Sequence, residues 1–188
     1  TPERAISPSR QTSVYMVSAR GDEPSAGAAR IAIDVGVFGG DWMLGADGCS
    51  ETADTREHAL ELLARSAHAN ADQSGSGLAN FLREAAPGKL GRAVVFVPPR
   101  AGPWLERVLP AARGRHAAQI SFIIGIDGID AAAGRWDLDD DQRATLPTWQ
   151  QLTEVVNALG HNVLIVDRRL GQMFTPAQLR IGPTQLVA

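Results

Sequence analysis

One cysteine, one lysine and a net charge of only −3 mark what this 188-residue chain does without. Cys49 alone excludes an internal disulfide and any cysteine-based zinc site. It is compatible with a reducing compartment. With Lys89 as the only lysine, arginine carries the rest of the positive charge, which reflects codon usage before chemistry. The small net charge provides no field strong enough to draw nucleic acid or a membrane surface. No apolar run approaches the ~18 residues of a membrane span. The polar start, Thr1-Pro2-Glu3-Arg4, has no signal-peptide pattern, and the missing initiator Met is expected of a piece excised from something longer. Internal repeats and long low-complexity tracts are lacking too. These absences point to a cytoplasmic chain, or to the soluble part of a membrane-anchored protein, with no membrane insertion by this segment.

What is there is an ordinary globular composition, 44% apolar, in a chain long enough for one domain with a sizeable core. The organising stretch is Ser74-Gly75-Ser76-Gly77, which opens an amphipathic helix, followed by Ala93-Val94-Val95-Phe96-Val97. An unbroken run of β-branched and aromatic residues bounded by Gly91 and Pro98 reads as a strand buried on both faces. Four further strands are expected at 14–18, 42–45, 121–125 and 163–166, all parallel to it. Between them lie helical patterns. Pro24 to Phe38 fits both a strand, through Ile31, Ile33, Val35 and Val37, and a helix, through Ala28, Ile31, Ala32 and Val35. Pro24 in a first turn favours helix. Thr55 is a candidate N-cap for a helix reaching about Ala69, with Ala59, Leu62, Leu63 and Ser66 buried. Gly102-Pro103 opens another helix, which Pro110 kinks or ends. Pro147 starts the last, with Trp149, Leu152, Val155, Val156 and Leu159 on one face and Gly160 as its C-cap.

The alternation of strands and helices predicts an α/β fold: three layers, doubly wound, with a mostly parallel sheet. Residues 1–11 read as a flexible lead-in, 12–170 as a single domain, and 171–188 as a tail that adds an edge strand or covers one.

A resemblance to a known family emerges along this order. Gly39-Gly40-Asp41-Trp42-Met43-Leu44-Gly45-Ala46-Asp47-Gly48 resembles the Gly-Asp-x-Val-x-Leu strand of the DUF58 family, which carries a von Willebrand factor A-like domain with Rossmann-like winding. His58-Ala59-Leu60-Glu61-Leu62-Leu63-Ala64 is similar to its Leu-Leu-x-x-Leu-Ala helix, and the stretch from Ser74 through Pro98 to its small-residue turn, helix and central strand. The resemblance implies a non-enzymatic assembly factor whose partner is an AAA+ ATPase of the MoxR type. It also implies a place for Mg²⁺, held in A-domains by an Asp-x-Ser-x-Ser loop, a Thr and a further Asp. Here Ser18 and Arg20 stand where the loop wants Asp and Ser, and Pro98-Pro99 replaces side-chain oxygens after the central strand. A degenerate face without metal or cofactor is therefore expected.

The remaining motifs are weak. Ser74-Gly75-Ser76-Gly77 lacks the lysine of a P-loop and the third glycine of a dinucleotide fingerprint. Asp137, Asp139 and Asp141 alternate as in a calcium loop, but Gln142 and Thr148 stand where Gly and Glu are needed. Arg20-Gly21-Asp22 is a three-residue match of the kind chance supplies everywhere. No nucleophile elbow and no His-x-x-x-His pair occurs. The candidate interaction face is thus Asp22, Ser74, Ser76, Asp127, Trp136 and Asp139, at the ends of strands and in the long irregular stretch. The alternative reading is a ligand-binding or hydrolase-like α/β enzyme using the same edge of the sheet, with Ser76, Asp127 and Asp167 as its polar groups.

Overall fold

Five strands lie side by side and parallel because each is an apolar run too short for a helix and bounded by turn residues. The computed structural model describes residues 11–18, 23–39, 41–66, 74–85, 92–114, 117–129, 146–160, 162–175 and 177–178. Its strands are β1 (Thr12–Met16), β2 (Trp42–Ala46), β3 (Arg92–Val97), β4 (Ile120–Ile126), β5 (Val163–Asp167) and β6 (Gln172–Phe174). Their order across the sheet is β2-β1-β3-β4-β5-β6. Every pair is parallel except β5 with β6, which is antiparallel. The helices are α1 (Glu23–Asp34), α2 (Arg56–Ser66), α3 (Leu78–Ala85), α4 (Pro103–Arg113) and α5 (Trp149–Leu159).

Residues alternate between the two faces of each strand. On one face Tyr15, Val95, Val97, Phe122, Ile124 and Ile165 meet α3, α4 and α5. On the other, Val14, Met16, Leu44, Phe96 and Ile123 meet α1 and α2. Val95 has no solvent exposure. The molecule is thus an α/β protein with a mostly parallel sheet between helical layers, as expected.

Several boundaries differ from the expectations, each for a local reason. The first strand starts at Thr12 and stops at Met16, two residues short of Ser18. Residues 24–38 are helical only as far as Asp34. Gly36 has φ +74, and the bonds Gly36 N–H to Ile33 O (3.2 Å) and Val37 N–H to Ala32 O (3.1 Å) form the two-bond glycine terminus that stops a helix. The second helix reaches Ser66 within the described residues, with Thr55 Oγ1 accepting from the His58 N–H at 3.4 Å. Pro110 does not end α4, which runs on to Arg113. Pro147 does not start the last helix. Thr148 is its N-cap, in a reciprocal box with Gln151.

Candidate functional site

In an open parallel sheet the polar groups that matter gather beyond the carboxyl ends of the strands. At the β1–β2 side of that pole the group at the centre is Asp47. It follows β2 directly and is only 2% exposed. Its Oδ1 accepts from the Tyr15 hydroxyl at 2.5 Å, and its Oδ2 accepts from the backbone N–H groups of Ser18 (2.9 Å) and Gly75 (2.7 Å). Gly77 N–H also points to it.

One carboxylate therefore joins β1, the end of β2 and the turn that opens α3. Gly77 is required there, because a side chain at that position would run into the Tyr15 hydroxyl. The Tyr15 ring lies against Phe81 of α3, with centroids 5.1 Å apart. The Ser18 and Ser66 hydroxyls bond each other, and the Ser74 hydroxyl donates to the Ser18 carbonyl. Arg107 on α4 donates to the Ser74 carbonyl at 2.9 Å. Ser18, Ser66 and Ser74 are all buried.

Burial pushes the Asp47 carboxyl above its ordinary value, and the bonds from Tyr15, Gly75, Ser18 and Gly77 pull it part of the way back. Burial and the neighbouring Asp47 charge both push the Tyr15 phenol up. Cys49 is half-buried, and burial raises its thiol too, against a smaller pull from Arg65. A raised thiol is a poor nucleophile.

The β4–β5 side of the pole is organised separately. Arg168 grips Asp127 with two bonds, Nε to Oδ1 at 2.8 Å and a terminal nitrogen to Oδ2 at 2.7 Å. Asp167, 4% exposed, accepts from the Arg169 N–H (3.0 Å) and the Leu170 N–H (3.4 Å). It closes the turn that follows β5. Between the two sides, Pro98 and Pro99 are buried beyond β3, and Ser25 at the start of α1 donates to the Val97 carbonyl at 2.8 Å.

Of the residues singled out in the sequence, Ser74 is buried and bonded inward while Ser76 is exposed. Asp127 is partly exposed and ion-paired. Asp22, Trp136 and Asp139 lie outside the described residues, as does the Asp137–Asp141 run. Ser76 belongs to the β1–β2 side, and Asp127 and Asp167 to the β4–β5 side, with β3 between them in the sheet. The structure does not assemble these three into one constellation. Asp47 and Tyr15 were missed; the available signal was an aspartate placed directly after an apolar strand.

A divalent cation does not fit this donor set. Magnesium needs several hard oxygens turned towards it. Here the best carboxylate is surrounded by N–H and O–H donors, and the serine hydroxyls are bonded to one another and to backbone. Among the described residues no group of three or more His, Cys, Asp or Glu could hold a metal. No helix among them is long and apolar enough to cross a membrane. Comparison with family models, with curated proteins and with solved structures gives no match.

Proposed function

We propose that this chain is a non-enzymatic protein-interaction and assembly domain of the DUF58 type, with von Willebrand factor A-like winding, whose partner is an AAA+ ATPase of the MoxR type. It would act in the cytoplasm, as a free domain or as the soluble part of a membrane-anchored protein. The observation that carries this reading is the closed network around Asp47. Among the described residues the polar groups around Asp47 are spent on one another, which stiffens these loops and leaves no oriented nucleophile, base or open ligand position in that network. A stiff pole with exposed loop residues suits recognition of a protein surface. The order of motifs from Gly40 to Pro98 supports the family, and the mostly parallel sheet is compatible with the winding.

The reading puts the partner on the loops beyond the strands, through Ser76, Asp127, Trp136 and Asp139. It is tested by titrating a purified MoxR-type ATPase onto the immobilised chain. Saturable binding is expected for the wild type. Trp136→Ala combined with Asp139→Arg is expected to weaken it at least about tenfold, as loss of a central aromatic and a charge does at other interfaces. Equal binding by wild type and double variant would place the interface elsewhere.

A further inference from the structure

We draw no further inference here: the strongest candidate, the cavity of about 340 Å³ between the C-terminal ends of α4 and α5 and the start of β4, is lined by apolar side chains and by Asn162, whose side-chain N–H group already donates to the Ala117 and Ala118 carbonyls, and nothing in the structure shows what covers it.

Discussion

Asp47 answers to four donors from two separate stretches of chain, so its removal is felt at a distance. Asp47→Ala strands the Ser18 and Gly75 N–H groups and the Tyr15 hydroxyl in a buried place. Each unsatisfied group costs about 1–3 kcal/mol, so a total loss of at least about 3 kcal/mol is expected in urea unfolding. Tyr15→Phe keeps the ring on Phe81 and removes one donor, for about 1–2 kcal/mol. The titration of Asp47 has a definite sign. Its folded value lies above the ordinary 3.8 because burial disfavours the charged form. The folded state therefore binds this proton more tightly than the unfolded chain does. The stability it contributes is fully present below the unfolded value and is lost as pH rises through the folded one. Asp47→Asn should flatten that part of the pH dependence. The check is the difference in unfolding free energy between wild type and Asp47→Asn between about pH 4 and pH 7. A wild-type advantage that grows with pH would mean that the hydrogen bonds outweigh burial.

At the scale of the element, strands were the most readable part of the chain. An apolar run such as Ala93–Val97 has few alternatives, and all five expected parallel strands occur in the structure with ends that coincide or shift by at most two residues. Val95→Asp is expected to abolish soluble expression, since an unpaired charge between two helical layers costs several kcal/mol, about a domain's whole margin. A soluble variant with an unchanged melting temperature would contradict the burial of β3. Helix ends were less readable. The stop of α1 depends on Gly36 taking a left-handed conformation, and three glycines (Gly36, Gly39 and Gly40) offered that service. Pro110 does not end its helix because its lost hydrogen bond is a local penalty, while Trp104 and Val108 on the same helix are buried against the sheet. Thr148→Ala should remove the reciprocal cap of α5 and lower stability by about 1 kcal/mol.

At the scale of the whole molecule, sheet order and the polar network were not legible. Nothing local tells β1 to lie between β2 and β3, and no spacing rule joins residues 15, 18, 47, 66 and 74. Ser74 was noticed for its turn, and its burial against Ser18 follows only from the winding of the sheet. The same winding closes the pole around Asp47, and on that closure rests the central claim that this face recognises proteins and takes no divalent cation. The Ser18 hydroxyl is bonded to that of Ser66 and the Ser74 hydroxyl to the Ser18 carbonyl, and the N–H groups around Asp47 would have to turn away before a cation could approach. The most direct test is a thermal melt of the full chain with and without millimolar Mg²⁺ or Mn²⁺. The account predicts coincident melting curves. A saturable rise equivalent to about 1 kcal/mol or more, as specific binding at tenfold excess over the dissociation constant would give, would show an open metal site at the pole and contradict it.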